Sequence, residues 1–143
     1  MSAEEQALKI ETEMVNANLK FDRDDSQDRI RIQLVFGGGD FSYEHVVFHI
    51  IIDEDGTGAH VVSSPIVSVQ TDRYAQLLSA CNECNTTYRW AKFYIDEDSD
   101  LMVECDVPLR DSSVGDECVE VVMRLADIVD QAYATIMRAA WGN

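Results

Sequence analysis

The first side chains of this sequence that could do chemistry are the thiols Cys81 and Cys84, in the segment C-N-E-C. A redox pair of this spacing lies at a helix N-terminus, where the helix dipole lowers the thiol pKa. Here both cysteines fall near the C-terminal end of a predicted helix, on its apolar stripe. Cys105 and Cys118 lie in other predicted elements, so the two chelating pairs of a zinc site do not form. The sequence therefore predicts four reduced packing residues, with Cys81, Cys84 and Cys105 buried and Cys118 at least partly so.

The second group is the three histidines, His45, His49 and His60. A hairpin turn centred on Asp55-Gly56 places all three on one sheet face, with His60 diagonally across from His49. His45 and His49 are about 13 Å apart along one strand, at about 3.3 Å per residue, and cannot bind one ion together. His49 and His60 could supply two ligands of a site, but the sequence assigns no third. A structural role is favoured, and neither a metal nor a cofactor is predicted.

An acidic segment resembles a calcium loop without its essential residues. Asp96, Asp98 and Asp100 match the start of such a loop, but Leu101 replaces the required glycine and Val107 the bidentate glutamate. The segment therefore predicts an acidic turn between two strands.

No catalytic residue is predicted. The glycine run at 37–39 lacks the lysine and the Ser or Thr of a phosphate loop. No serine lies in a G-x-S-x-G elbow, and the carboxylates are too numerous for one acid–base pair to be chosen. We predict that the protein is not an enzyme.

The composition indicates a single globular domain over residues 1–143, with 46% hydrophobic and 27% charged residues. The net charge of −16 argues against nucleic acid as a partner, because a field of this sign repels phosphate backbones. No apolar run approaches the roughly 18 residues that span a bilayer, so no membrane contact is predicted. The acidic N-terminus lacks an apolar signal core, which predicts a cytoplasmic protein.

The elements that position these residues begin with a helix. Ser2 and Glu5 open it as a capping box, and it ends near Leu19. Alternation over 30–36 then predicts a half-buried strand. The nearly all-apolar run 43–53 predicts a second strand with both faces partly covered.

A third strand and a second helix follow. The strand begins near His60, and Pro65 marks an edge or a bulge in it. Thr71 or Asp72 caps the helix. Its predicted apolar face consists of Tyr74, Leu77, Leu78, Cys81 and Cys84.

The segment from Tyr88 to Val107 predicts a hairpin with two distinct faces, because side chains alternate across a strand. Its core face carries Arg89, Ala91, Phe93, Ile95, Leu101, Val103, Cys105 and Val107. Its other face carries Tyr88, Trp90, Lys92, Tyr94, Met102, Glu104 and Asp106. The aromatic residues and the methionine make that second face unusually apolar for a solvated surface.

A long amphipathic helix ends the chain. Ser112 or Ser113 caps it, and it stops near Gly142. Its apolar positions are Val114, Cys118, Val121, Val122, Leu125, Ile128, Val129, Ala132, Tyr133, Ile136 and Met137, of which Val121, Leu125, Ile128 and Ile136 are expected to be nearly fully buried. The resulting order α-β-β-β-α-β-β-α predicts an α+β fold with one antiparallel sheet covered by helices.

The block Tyr74–Leu109 resembles the YbjN family of bacterial sensory-transduction regulators, through LLSACNECNTTYRWAKFYID, DLMVECDVPL and the long final helix. In that family a helix ends in a Leu-Asn-like pair, before an aromatic strand, an acidic turn and a strand that closes in Pro-Leu. Cys84-Asn85 occupies the place of the Leu-Asn pair. The resemblance implies a fold like that of the type III secretion chaperones, a twisted antiparallel sheet packed with helices, often as a homodimer. It carries over no catalytic residue.

We predict a non-enzymatic interaction module, chaperone-like or regulatory, that acts as a homodimer and binds a partner protein. The predicted interface includes Tyr88, Trp90, Tyr94 and Met102, because aromatic residues and methionine are enriched at interface cores. Two alternatives remain open. The N-terminal or final helix could cover this face within one chain. The histidine face, with His49 and His60, could form a sensor site for a metal or small ligand.

Overall fold

The computed structural model describes residues 1–142, so Asn143 at the end of the predicted domain lies outside it. These residues form one antiparallel sheet and three α-helices, which confirms the predicted α+β fold and the order of its elements. The elements are α1 (Ala3–Asn16), β1 (Asp22–Asp24), β2 (Arg31–Phe36), β3 (Val46–Ile52), β4 (Gly58–Ser63), β5 (Val67–Ser68), α2 (Tyr74–Thr87), β6 (Lys92–Ile95), β7 (Asp100–Pro108) and α3 (Asp116–Trp141).

The strands β1, β2, β3, β4 and β7 lie side by side in that order, each antiparallel to its neighbour. One edge of β7 pairs with β4 and then β5, and the other edge pairs with β6. Pro65 lies in the break between β4 and β5, because it has no N–H to donate to the sheet. The Ser63 hydroxyl bridges the break by accepting a hydrogen bond of 3.0 Å from the N–H of Val103. The predicted third strand is therefore one path broken at a bulge.

The three helices pack against a single face of the sheet, which we call the inner face. Along β3 the inner residues Phe48, Ile50 and Ile52 are each 0% exposed. They join a hydrophobic core with the buried faces of the helices. Among the helices α3 contributes most to this core, including Leu125, which is also fully buried.

The buried face of α3 follows the predicted spacing at most positions. Leu125, Ile128 and Ile136 are buried as predicted, whereas Val121 is only half-buried. Val114 lies before the helix and is exposed, so its assignment to the helix face was wrong.

One of the three predicted helix caps is confirmed. The Ser2 hydroxyl accepts a hydrogen bond of 3.1 Å from the Glu5 N–H, and the Glu5 carboxylate accepts one of 3.3 Å from the Ser2 N–H. The predicted caps Thr71 or Asp72 and Ser112 or Ser113 were wrong. A 3-10 turn over Thr71–Arg73 leads into α2.

Gly115 precedes α3 because of a tertiary contact rather than a local cap. Its φ is +95°, and a Cβ at this position would lie 2.5 Å from the backbone oxygen of Lys9. Only glycine lets α1 approach the start of α3 so closely.

The predicted apolar face of α2 is correct at Leu77, Cys81 and Cys84. Tyr74 and Leu78 are exposed instead, and the buried position between the others is Ala80. The helix therefore buries a narrower stripe than the sequence predicted.

The strand β1 was not predicted, because Asp22-Arg23-Asp24 contains no apolar residue. It exists through tertiary contacts: it pairs with β2, and Arg23 lies 2.7 Å from Glu4 and 2.9 Å from Glu11 of α1. These ion pairs hold the start of α1 against the edge of the sheet.

Candidate functional site

The face of the sheet opposite the helices, here called the outer face, carries two of the histidines and part of the predicted interface. Its side chains alternate with those of the core and are half-buried or exposed. They include Asp22 and Asp24 of β1, Arg31, Gln33 and Val35 of β2, Val47, His49 and Ile51 of β3, His60 and Val62 of β4, Asp100, Met102, Glu104 and Asp106 of β7, and Lys92 and Tyr94 of β6. Because the helices bury their apolar stripes on the inner face, the outer face is the open side of the sheet within residues 1–142.

Four aliphatic side chains form an aliphatic patch on one half of the outer face: Val35, Val47, Ile51 and Val62. Val35 and Val47 are direct cross-strand partners, and Val35 is 61% exposed. Val62 pairs with His49, which lies between the other members of the patch. Contiguous exposed apolar surface of this kind marks interaction sites in soluble proteins.

A polar network separates the aliphatic patch from the other half of the outer face. The ring nitrogens of His60 lie 2.8 Å from Asp106 (Nδ1) and 2.8 Å from Glu104 (Nε2). Lys92 lies 3.0 Å from the second oxygen of Glu104, and its ammonium is 5.5 Å from the centre of the Tyr94 ring. Both contacts of His60 are hydrogen bonds only when both ring nitrogens carry a proton. The network thus holds the imidazole of His60 between two carboxylates.

His49 has the opposite environment. Its Nδ1 atom is buried without a hydrogen-bond partner among residues 1–142. Burial lowers its pKa below the ordinary value, and the charge of Arg31, diagonally across on β2, lowers it further. His49 is therefore a neutral imidazole in the middle of the aliphatic patch.

The hairpin register places His49 and His60 as predicted, but it does not make a metal site. His49 pairs with Val62 and His60 with Ile51, so the two rings are diagonal neighbours. The carboxylates next to His60 contact opposite nitrogens of its ring and do not converge on one point. Among residues 1–142, no three His, Cys, Asp or Glu side chains are arranged to hold a metal ion. His45 lies outside β3 and is exposed, so its predicted place on this face was wrong.

The four predicted interface residues do not share one surface. Tyr94 and Met102 are cross-strand partners on the outer face. Tyr88 and Trp90 precede β6 instead, on the connection from α2, so the strand predicted from Tyr88 begins only at Lys92. Trp90 has a φ of +73°, and its ring centre lies 5.6 Å from the Arg124 guanidinium carbon of α3.

These positions also decide the alternative that a helix covers the hairpin face. Trp90 lies beside α3, on the helix side of the sheet, and Tyr88 packs against the core near the end of α2. Tyr94 and Met102 remain on the open side. The helix alternative therefore describes Tyr88, which is half-buried, but not Trp90, which contacts Arg124 and is still 56% exposed, and not the other pair.

The cysteines are packing residues. Cys81, Cys84 and Cys118 are buried, whereas Cys105 is only half-buried, contrary to its predicted burial. Burial raises the pKa of Cys81 and of Cys84 to about 11 and that of Cys118 to about 12. These thiols are poor nucleophiles at neutral pH, because the reactive form is the thiolate.

The acidic turn between β6 and β7 is shaped by its own first residue. One carboxylate oxygen of Asp96 accepts hydrogen bonds of 3.0 Å from the N–H groups of Asp98 and Asp100. This carboxylate thus organises the turn that the sequence predicted.

Asn85 has a role that sequence reasoning missed. Its side-chain amide accepts a hydrogen bond of 2.7 Å from the Phe93 N–H and donates one of 3.0 Å to the Phe93 carbonyl. The amide therefore makes the two hydrogen bonds that the backbone of a neighbouring strand would make, and it occupies the edge of β6. Unpaired strand edges invite association with other chains. The Cys84-Asn85 pair could have indicated this role, because it places a buried thiol and then an amide at the end of a helix that leads into a strand.

Charge is distributed unevenly over the molecule. The chain has a net charge of −16, yet β3 and β4 contain no Asp or Glu. On the outer face, Glu104 and Asp106 are both engaged with His60, whereas Asp22 and Asp24 of the edge strand β1 lie beside Gln33 and Arg31. The aliphatic patch is thus a weakly charged area on a strongly acidic protein.

Comparison with known proteins gives one match. A family model named YbjN and described as "Putative bacterial sensory transduction regulator" matches residues 9–137. No curated protein and no solved structure matches the chain. The helices within residues 1–142 include none that is long and apolar enough to cross a membrane.

Proposed function

The chain belongs to the YbjN family, and from this premise we propose that it is a non-enzymatic regulatory protein that forms a homodimer through its outer face and binds a further protein. The aliphatic patch is the observation that carries the proposal, because a sheet face with one exposed valine and three half-buried aliphatic side chains gains stability when a second surface covers it. Tyr94 and Met102 extend the same face beyond the polar network. Aromatic residues and methionine are enriched at the centres of protein interfaces.

Electrostatics favour this face over any other for self-association. Two chains of charge −16 repel each other, and the repulsion is smallest where carboxylates are absent or already paired. The strands β3 and β4 meet that condition. A two-fold axis through the aliphatic patch would bring this weakly charged area against its own copy.

The non-enzymatic part of the proposal is supported by the state of the groups that usually do chemistry. The thiols of Cys81, Cys84 and Cys118 are buried, and burial raises their pKa values. His60 is held between two carboxylates on an open surface. We also propose a cytoplasmic location, since a reducing compartment suits cysteines that serve in packing.

A matched pair of substitutions tests the dimer. Val35 and Val15 are exposed valines, at 61% and 67%, but Val35 is on the outer face and Val15 on the far side of α1. We expect Val35→Glu to give a folded monomer in size-exclusion chromatography with light scattering. Val15→Glu introduces the same charge and should leave the dimer intact. A wild-type protein that stays monomeric at high concentration, or a Val35→Glu variant that stays dimeric, would contradict the proposed interface.

A further inference from the structure

A second exposed apolar surface lies on the other side of the molecule, where α1 meets the loop before α3. Its members, which we call the α1 groove, are Leu8, Thr12 and Val15 of α1 and Val114 of the loop. Leu8 is 55% exposed and Val114 54%. Leu8, Thr12 and Val15 are spaced at four and three residues, so they form one stripe along the helix. This stripe faces away from the residues by which α1 joins the core.

The α1 groove is held in shape by the backbone around it. The Lys9 ammonium donates a hydrogen bond of 2.8 Å to the carbonyl of Ser113, which ties the loop to α1. The close approach of Gly115 to the Lys9 carbonyl fixes the same contact from the other side. A site that is already formed loses little entropy when it binds.

Uncompensated negative charge lies next to the α1 groove. A small cleft at the start of α3 is lined by Asp116, Glu117 and Glu120. Among residues 1–142 no ion pair involves Glu13, Asp116 or Glu117, while Glu120 lies 3.3 Å from Arg124. A hydrogen bond to Glu117 raises the pKa of Asp116, and desolvation and the charges of Glu117 and Glu13 act in the same direction. Asp116 and Glu117 therefore form a close, hydrogen-bonded pair of carboxyl groups at the start of α3.

Deepening the proposed function, on whose partner-binding role it rests, we infer that the α1 groove binds a basic amphipathic helix of a partner protein. The apolar side chains of such a helix would pack on Leu8 and Val114, and its Lys or Arg residues would reach Asp116 and Glu117. Helices commonly bind in grooves through residues at this spacing. The opposite charge accelerates association and selects the partner.

The same charges argue against other occupants. A second copy of this acidic chain would bring like charges together at the rim. Nucleic acid and anionic membrane surfaces carry the same sign as Asp116 and Glu117 and are repelled. Lys9 also lines the α1 groove, but this single ammonium does not reverse the sign of the rim, because the carboxylates Glu13, Asp116 and Glu117 outnumber it. A basic helix satisfies both the apolar and the acidic part of the surface.

A synthetic peptide tests this inference with the full chain. The probe is a labelled helix of about 18 residues with leucines at i, i+3, i+4 and i+7 and Lys or Arg elsewhere. Its control has the same composition in scrambled order. We expect anisotropy titrations to show that the ordered peptide binds at least about tenfold more tightly than the scrambled one. Equal binding of the two peptides, or no binding, would overturn the inference.

Substitutions in the chain test which of its residues contact the peptide. Leu8→Glu makes the rim more negative, so a loss of about tenfold in affinity would report a lost apolar contact rather than lost attraction. The double variant Asp116→Asn, Glu117→Gln should weaken binding and reduce its dependence on salt. Leu78→Glu is the same substitution on the exposed side of α2, outside both proposed surfaces, and should bind the peptide as the wild type does. Circular dichroism checks that each variant is folded.

The two proposals fail separately. If Leu8→Glu binds the peptide as tightly as the wild type while light scattering shows a dimer, the α1 groove is wrong and the dimer stands. If the wild type is monomeric but binds the ordered peptide through Leu8, the dimer is wrong and the α1 groove stands.

Discussion

The inner and outer faces of β3 contain the same kinds of residue in very different surroundings. Ile50 and Ile52 point to the inner face and are 0% exposed, whereas Ile51 between them points to the outer face and is half-buried. Val61 and Val62 on β4 repeat the contrast, with Val61 fully buried and Val62 half-buried. The identity of a residue thus does not tell which side of this sheet the helices cover.

The difference between the faces would let the chain keep the contacts that stabilise its fold apart from the surface proposed for interaction. The inner face is filled by residues of three helices, and its contacts hold the fold. Within residues 1–142 no helix covers the outer face, so its aliphatic residues remain available to a second surface. Replacing one residue on each face is the direct test of this division.

The largest effect is expected at the inner face. Ile50→Ala should lower the free energy of unfolding by about 2–5 kcal/mol, because it opens a cavity in a packed core. Ile51→Ala removes the same atoms one residue away and should cost about 1 kcal/mol, since the side chain stays partly in water. Urea unfolding of both variants at low protein concentration measures the contrast.

The same pair of variants also reports on the dimer. If the outer face is covered by a second chain, the unfolding midpoint of the wild type rises with protein concentration. Ile51→Ala should weaken that dependence and Ile50→Ala should not. Equal losses from both substitutions at low concentration would mean that the two faces are equally buried within one chain.

An intermediate effect is expected at the edge that joins the two faces. Asn85→Ala leaves the N–H and carbonyl of Phe93 without their partners and should cost about 1–2 kcal/mol. The edge of β6 then also becomes available for pairing with other chains. Asn82→Ala is the matched control, because Asn82 is exposed on the same helix. Thermal unfolding measures the loss of stability, and light scattering measures association through the edge of β6. If Asn85→Ala has the stability and the size of the wild type, the amide does not stabilise or protect this edge.

The smallest effect is expected from His49, in the middle of the aliphatic patch. Its folded pKa is lowered from 6.5, so the unfolded chain binds the proton more readily. The stability that the neutral ring contributes is present above about pH 6.5 and is lost as the pH falls below it. His49→Gln should therefore flatten the decrease in urea midpoint between about pH 7 and pH 5. His45→Gln, in the exposed loop before β3, serves as the control and should follow the wild type.

If the wild type and His49→Gln show the same pH dependence, the burial of this ring does not influence stability. If His49→Gln and His45→Gln reduce the pH dependence of the urea midpoint equally, this dependence does not come from the outer face.

Local patterns predicted the parts of the fold that local physics controls. The Ser2–Glu5 capping box, the register that sets His60 diagonal to His49, and the buried spacing from Leu125 to Ile136 were all correct. Each depends on residues close in the chain or on strict alternation along a strand. The predictions failed where distant contacts decide the conformation. Gly115 lies immediately before α3 because α1 packs closely against it.

Of the candidate site, Tyr94 and Met102 were placed on the correct face, and Tyr88 and Trp90 were not. The prediction assumed that the alternation of side chains in β6 starts at Tyr88. The backbone at Trp90 takes a positive φ, so the alternation begins only at Lys92. The interface role of these residues remains a prediction.

The sequence by itself determined the family, the α+β class, the order of the main elements and the alternation that sets each strand's two faces, because these follow from short-range periodicity and from a motif. Only the tertiary structure decided that all three helices lie on one side, that Asn85 closes the edge of β6, and that β1 joins the sheet through Arg23. Such choices depend on where distant segments meet. A residue pattern such as that of β3, apolar on both faces, is compatible with helices on either side until the rest of the chain is packed.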